Sequence, residues 1–239
     1  MPEPLDNFTE IPFTIVNLDR YIIRKSILKG IQESLKNFKG KLLDIGCGKM
    51  PYKHFILNGS SVESYIGLDI DKALQYDENV TPDFTWDGKT MPFENESFDT
   101  TLATEVLEHC SEPQIFLDEI HRVMKNGACF FFTVPFLWNL HEVPHDEYRY
   151  TPYAMQRLLT NAGFKNIDMK ATGGWHASMA QMLGLWVRRS SIGNNKRKLL
   201  SLLLKPVIKS LIKKDKKFNN EFKEGQMITG FYGVAFKEK

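Results

Sequence analysis

Apolar positions recur along the chain in two registers. Leu42-Leu43-Asp44-Ile45, Tyr65–Asp69, Thr100–Thr104, Ala128–Val134, Ile167–Ala171 and Ile228–Phe236 are short and dense in apolar and β-branched residues, and Asp83–Asp87 is a further short segment of this kind. Such runs suit strands covered on both faces, as in a parallel sheet. Helical spacing alternates with them. It predicts a helix over Leu18–Phe38, on Tyr21, Ile22, Ile23, Ile27, Leu28, Ile31 and Leu35, and another over Pro113–Met124, on Ile115, Phe116, Ile120, Val123 and Met124. Shorter helices are expected over Tyr52–Asn58 and Thr151–Ala162. Gly40 separates the first helix from the first strand, Asn126-Gly127 ends the 113–124 helix, and Gly163 caps the 151–162 helix. Residues 1–17, with Pro2, Pro4 and Pro12, read as an irregular arm, and a loop is expected after Asp69 through Asp77. Strands alternating with helices predict an α/β fold.

About 50 residues, Thr172–Gly225, separate the last two strands. A structureless loop of that length does not suit a compact domain, so two helices are expected there. Trp175–Val187 offers Trp175, Met179, Met182, Leu183 and Trp186 as a face. Lys198–Lys217 interleaves leucines, Val207 and Ile208 with lysines, and Pro206 should kink or split it. The chain then reads as one domain over 1–239: an arm and helix (1–39), a core (40–171), a basic helical insertion (172–225) and a last strand (226–239).

Charge sharpens this division. The net charge of +2 is unremarkable, yet twelve basic residues lie between Arg188 and Glu224 against Asp215, Glu221 and Glu224. The remainder is therefore net acidic. A basic amphipathic helix beside a Trp/Met-rich one suggests peripheral contact with an anionic membrane through 188–224. The alternative is a helix packed on the domain with its lysines solvated. Nucleic acid is a weaker choice, because few aromatics besides Trp175, Trp186 and Phe218 interleave the charges. Three unpaired-looking cysteines, Cys47, Cys110 and Cys129, favour a reducing compartment. With no basic-then-apolar leader over Met1–Glu10 and no apolar run of about 18 residues, a cytoplasmic location is expected.

The stretch around which the rest is organised is Lys41-Leu42-Leu43-Asp44-Ile45-Gly46-Cys47-Gly48. A buried strand breaking into a glycine turn lets backbone approach a ligand closely, as at nucleotide sites of doubly wound folds. Asp69, about 20 residues past the glycines, has the spacing of a carboxylate that accepts ribose hydroxyls. A dinucleotide fingerprint wants a third glycine at position 51, where Pro51 stands, and Asp44 suits a cationic ligand better than a phosphate.

With LLDIGCG, YIGLDID, WDGKTMPFENESFDTTLATEVLEH and TPYAMQRLLTNAGF in this order, the sequence resembles the class I S-adenosylmethionine-dependent methyltransferases over roughly Lys41–Phe164. It is most similar to the small ubiquinone/menaquinone-type and related O-methyltransferases. The resemblance implies a Rossmann-like seven-stranded sheet with helices on both faces, the insertion lying between the last two strands. It also implies S-adenosylmethionine as cofactor, with Asp44, Gly46 and Gly48 bordering the methionine part, Asp69 on the ribose and Asp87 on the adenine amino group. A sugar, lipid-linked or other small-molecule hydroxyl is the implied acceptor.

Two clusters beyond strands four and five carry candidate chemistry. If Glu105 opens a helix, Glu108 and His109 share its face. His141-Glu142-Val143-Pro144-His145-Asp146-Glu147-Tyr148-Arg149 is dense in titratable groups. Small-RNA 3′-end 2′-O-methyltransferases and some ubiquinone-pathway O-methyltransferases carry E-x-x-E-H and a later histidine as a divalent-metal site. Glu105, Glu108, His109 and His145 match that pattern, and such a metal would lower a hydroxyl pKa. Without one, His141 or His145 is the general base and Asp146 fixes an imidazole tautomer. Arg149 either clamps an anion or pairs with Asp146 or Glu147. Spacing does not rank the two histidines. The H-x-x-P-H-D-x-Y-R-Y-T run also resembles methyltransferases of glycan or glycolipid synthesis. Two rivals remain: a nicotinamide-dependent oxidoreductase on a similar sheet, and a non-catalytic membrane-surface adaptor that keeps the fold.

Overall fold

The computed structural model describes residues 8–71, 81–215 and 218–238. The start of the arm, most of the loop after Asp69, and Lys216-Lys217 at the expected end of the second insertion helix lie outside the described residues. The described elements run α1 (Tyr21–Ser34), β1 (Lys39–Ile45), α2 (Lys53–Gly59), β2 (Ser61–Ile70), β3 (Phe84–Trp86), β4 (Phe98–Thr104), α3 (Pro113–Val123), β5 (Met124–Pro135), α4 (Pro152–Asn161), β6 (Lys165–Thr172), α5 (Trp175–Arg189), α6 (Asn194–Lys214) and β7 (Gly230–Phe236).

The seven strands form one sheet in the order β3-β2-β1-β4-β5-β7-β6. β1 to β5 pair in parallel, and β7 enters antiparallel between β5 and β6. The strand order reverses direction at β1, with β2 on one side and β4 on the other, which is where open α/β sheets leave a crevice past their carboxyl ends. Both faces are covered. Leu43, Ile45, Phe130 and Phe132 pack toward α3 and α4, whereas Leu42, Leu102 and Phe131 pack toward α1 and α2. Phe130, Phe131 and Phe132 are all fully buried, which is why β5 reads as an unbroken apolar run.

Several boundaries differ from expectation. The first helix is shorter than 18–38; a 3-10 turn over Leu35–Asn37 follows it. Gly40 lies within β1, paired with Val62. α3 stops at Val123, and Asn126-Gly127 belongs to β5; Gly127, at φ +77°, bends the strand instead of closing a helix. α4 begins as the sequence suggests: the Thr151 hydroxyl accepts from Ala154 N at 3.2 Å, Pro152 stands at its first position, and Gly163 follows at φ +95°.

The insertion folds as a helical hairpin, α5 and α6, between β6 and β7. The Asp215 carboxylate ties the end of α6 to the start of α5, accepting from Gly174 N (2.8 Å) and Ala177 N (3.1 Å). Pro206 does not split α6, which runs unbroken from Asn194 to Lys214. It lies on the exposed side, where the carbonyl it deprives of a partner is open to water, and Leu200, Leu204, Ile208 and Leu211 hold the helix against the domain. None of the described helices is long and apolar enough to cross a membrane.

Candidate active site

At the tip of β1 the chain turns on two left-handed glycines, Gly46 (φ +67°) and Gly48 (φ +48°). Gly46 N and Cys47 N both donate to Leu68 O of β2, at 2.8 and 3.2 Å. Gly48 N donates to Asp69 Oδ2 at 2.9 Å, so the glycine turn and the acid at the end of β2 meet across one crevice. Ile70 N binds the other Asp69 oxygen at 2.9 Å. Burial pushes the Asp69 carboxyl upward; the two backbone donors pull it down, and Glu142 in the loop after β5 pushes it up again.

Three neighbours make this turn possible that sequence reasoning did not single out. A Cβ on Gly67 would lie 2.8 Å from Met50 Sδ and 2.9 Å from Cys47 Sγ. A Cβ on Gly46 would lie 2.5 Å from Val106 Cγ2. Tyr65, two residues before Gly67, donates its hydroxyl to Asp44 Oδ2 at 2.6 Å. Asp44 is thus buried inside the α1/α2 side of the sheet, 2% exposed, rather than standing open at the crevice. Burial raises its carboxyl to about 7, opposed by the Tyr65 hydroxyl and assisted by Asp69. Asp87 lies just past β3, fully exposed, and accepts from Lys89 N (2.8 Å) and Thr90 N (2.9 Å) in its own turn.

At the tips of β4 and β5 the site is built from side chains. Glu105 does not open a helix: it sits at φ +55° after β4, and only a 3-10 turn follows, Leu107–His109. The three groups of Glu105, Glu108 and His109 therefore do not share a helix face. Glu105 accepts from the Thr133 hydroxyl at 2.8 Å and lines a small cavity beneath α1 with Ser26, Ile27 and Tyr232. Burial lifts it to about 7, against Thr133 and the Arg149 charge.

Glu108 turns the other way. It is fully buried, and neither carboxylate oxygen has a hydrogen-bond partner. Burial, then the neighbouring Glu105, raises its carboxyl well above the ordinary range. His109 Nε2 lies 3.8 Å from Glu108 Oε1 and 3.7 Å from Glu142 Oε2. Ligand atoms of Glu108, His109 and His141 all come within 4.8 Å of one another. His145 does not join them. Its ring is exposed, and its backbone carbonyl meets His109 Nδ1 at 2.9 Å, which orients that imidazole with Nε2 toward Glu108.

The two histidines that spacing leaves unranked are thus distinguished by the fold. His141 Nδ1 lies 3.2 Å from Asp146 Oδ2, and its ring is 4.8 Å from that of His109. Burial lowers the His141 pKa, and Asp146 opposes that shift. Arg149 grips Asp146 in a fork at 2.7 and 2.9 Å and so is not open to clamp an anion; it holds the Asp146 carboxyl far below the usual range. Glu147 N and Tyr148 N return to Glu108 O, and the Tyr150 hydroxyl binds Leu107 O at 3.0 Å, so the two clusters form one unit. The donor set suits a divalent cation: one orphaned carboxylate and two oriented imidazoles, from Glu108, His109 and His141. Glu105 and His145, expected as ligands, stand outside it.

Residues 43–132 match the family described as Methyltransferase domain, a span that covers β1 through most of β5. That span is less than half of the chain, and the sheet order is the one shared by solved methyltransferase structures. An uncharacterised protein of Methanocaldococcus jannaschii is 26% identical over 164 residues, 63% of this chain and 76% of the relative. The ubiquinone biosynthesis O-methyltransferase of Pelagibacter ubique is 28% identical over 138 residues, 55% of this chain and 56% of the relative. The chain therefore spans little more than half of that relative's length. Among solved structures, Haemonchus contortus phosphoethanolamine N-methyltransferase 2 bound to S-adenosylmethionine shares the fold at a TM-score of 0.55. It is 15% identical, with 96% of this chain and 61% of that one covered.

Proposed function

We propose that the protein transfers the methyl group of S-adenosylmethionine to a hydroxyl oxygen of a sugar, lipid-linked or other small-molecule acceptor. The observation that carries the acceptor chemistry is Glu108, buried with both oxygens unbonded beside two oriented imidazoles. The Pelagibacter relative, an O-methyltransferase by name, supports oxygen as the accepting atom.

In this proposal Gly46, Gly48 and Asp69 hold the donor at the crevice, with Asp69 on the ribose and Asp87 near the base. Glu108, His109 and His141 hold a divalent cation, which when bound lowers the pKa of the acceptor hydroxyl. His109 is positioned by the His145 carbonyl, and Arg149 holds Asp146 against His141. The loop after β5 closes over the reacting atoms and excludes water. A second mechanism is favoured by the His141–Asp146 contact at 3.2 Å: without a metal, His141 takes the hydroxyl proton and Asp146 stabilises the resulting imidazolium.

Two measurements test these roles. Calorimetry with S-adenosylhomocysteine should give saturable binding. Transfer of labelled methyl from S-adenosylmethionine is then assayed over catechols, sugars and glycolipids, with and without chelator. Turnover lost on chelation and restored by magnesium or manganese supports the metal-bound acceptor. Turnover that survives chelation but dies in His141→Ala supports the metal-free base. Binding without turnover of any hydroxyl, with turnover of an amine, would overturn the oxygen acceptor.

A further inference from the structure

The α5/α6 hairpin packs on the domain through one side only. Ala180 and Val187 of α5 and Ile208 of α6 meet Leu18 and Ile22 of the N-terminal segment. The approach is tight enough that a Cβ on Gly184 would lie 2.1 Å from the Leu18 carbonyl oxygen. The opposite side is apolar as well. Trp175, Met179, Met182 and Trp186 fall on one row of α5, between 47% and 60% exposed among the described residues. Leu199, Leu202, Leu203 and Val207 do the same on α6. Two rows of large apolar side chains, on helices packed against each other, differ from the single exposed residues of an ordinary surface.

Charge says what covers them. α6 carries six lysines and Arg197 and no acidic residue, and α5 ends in Arg188 and in Arg189, which is paired with Asp19. A second copy of this chain seated on the same face would set these cations against their own equivalents, because a two-fold interface is self-complementary. An anionic lipid surface matches both features, taking the apolar rows below the headgroups and the lysines among them. The Trp175 indole N–H is already satisfied by Gly225 O at 3.0 Å, leaving its ring as an apolar body at the edge of the face.

We infer that the outer face of the α5/α6 hairpin seats on an anionic bilayer. The face lies across 175–207 and so takes in α5, where sequence alone pointed to 188–224. It also reaches the acceptor end of the site. The Arg189 guanidinium lies 5.9 Å from the centroid of the Trp138 ring, and the loop beyond Trp138 exposes Leu140 and Val143 by 76% and 73%. Resting on the proposed methyl transfer, this adds that the acceptor keeps an acyl or polyprenyl tail in the bilayer while its hydroxyl enters the site.

The full chain is sedimented with vesicles of phosphatidylcholine alone and of phosphatidylcholine with phosphatidylglycerol, at low and high salt. The wild type should pellet with the anionic vesicles only, and less at high salt. Met182→Glu with Trp186→Glu, and separately Lys205→Glu with Lys209→Glu, should each weaken partitioning by about tenfold or more. Unchanged S-adenosylhomocysteine binding and circular dichroism would show these surface variants folded. No pelleting with either vesicle, or equal pelleting of wild type and variants, overturns the inference. So does an ultracentrifugal dimer that Met182→Glu with Trp186→Glu turns into a monomer. Pelleting with no turnover of any lipid-linked acceptor leaves the surface standing and removes the tailed acceptor alone.

Discussion

The two ends of the crevice are built by different means. At the tips of β1 and β2 the surface is mostly backbone: Gly46, Cys47 and Gly48 spend their N–H groups on Leu68 and Asp69, and one carboxylate, Asp69, stands at the crevice. At the tips of β4 and β5 it is mostly side chain: the half-buried Glu105, the buried Glu108, two imidazoles and an Arg149–Asp146 fork held by a loop that returns from 37 residues away to meet Ser111. A backbone-built site admits one ligand shape and tolerates few substitutions. A side-chain-built site can change its chemistry without disturbing the sheet. A donor end matched by a family model beside an acceptor end matched only in part is the expected consequence.

Truncation at each end should separate the two functions. His141→Ala should lower methyl transfer by about 10²- to 10⁴-fold while S-adenosylhomocysteine affinity stays unchanged. A parallel loss of affinity would break the division. Asp69→Ala acts on the other end and should weaken cofactor binding by about 10- to 100-fold, the worth of charge-assisted hydrogen bonds, as read by calorimetry. Gly46→Ala places a Cβ at φ +67° and 2.5 Å from Val106, so the fold should lose about 1–3 kcal/mol in denaturant titration together with cofactor binding.

The buried acids predict a pH signature. Asp44 sits at about 7 in the folded chain, through burial, against an ordinary value near 4 when unfolded. The folded state therefore holds the extra proton between those values, and the stability this group contributes is present at low pH and lost as pH rises through about 7. Glu105, also raised to about 7 by burial, acts in the same direction. Asp146, held down by Arg149, acts oppositely and only at acid pH. Melting temperature should fall between about pH 4 and 7, and Asp44→Asn should flatten that slope. The smallest effect is Tyr65→Phe, which removes the donor to Asp44 and should cost about 1 kcal/mol.

Much of the donor end was legible because its constraints are local. A strand that must break needs glycine, and Asp69 follows at a fixed spacing because one helix and one strand fit between. The supports were not legible. Gly67 looks like a lapse in a strand until Met50 and Cys47 are seen lying on it, and Val106 carries no motif at all. The acceptor end misled for a different reason. E-x-x-E-H suggests one helical face, but Glu105 adopts a left-handed conformation and points beneath α1, and His145 offers its carbonyl where spacing offered its ring. The insertion was legible in kind, two helices, but not in length, because packing against Leu18 and Ile22 keeps α6 continuous past Pro206.

Hydrophobic period and turn residues are properties of neighbouring residues, and they determined the alternation of strands and helices, the glycine turn and the acid one strand away. Which side chains share a cavity depends on contacts between residues far apart in the chain, here Glu108 with His141 and Asp19 with Arg189. Those contacts exist only once the sheet has ordered its strands, so only the folded chain could set His141, and not His145, beside Glu108 and His109.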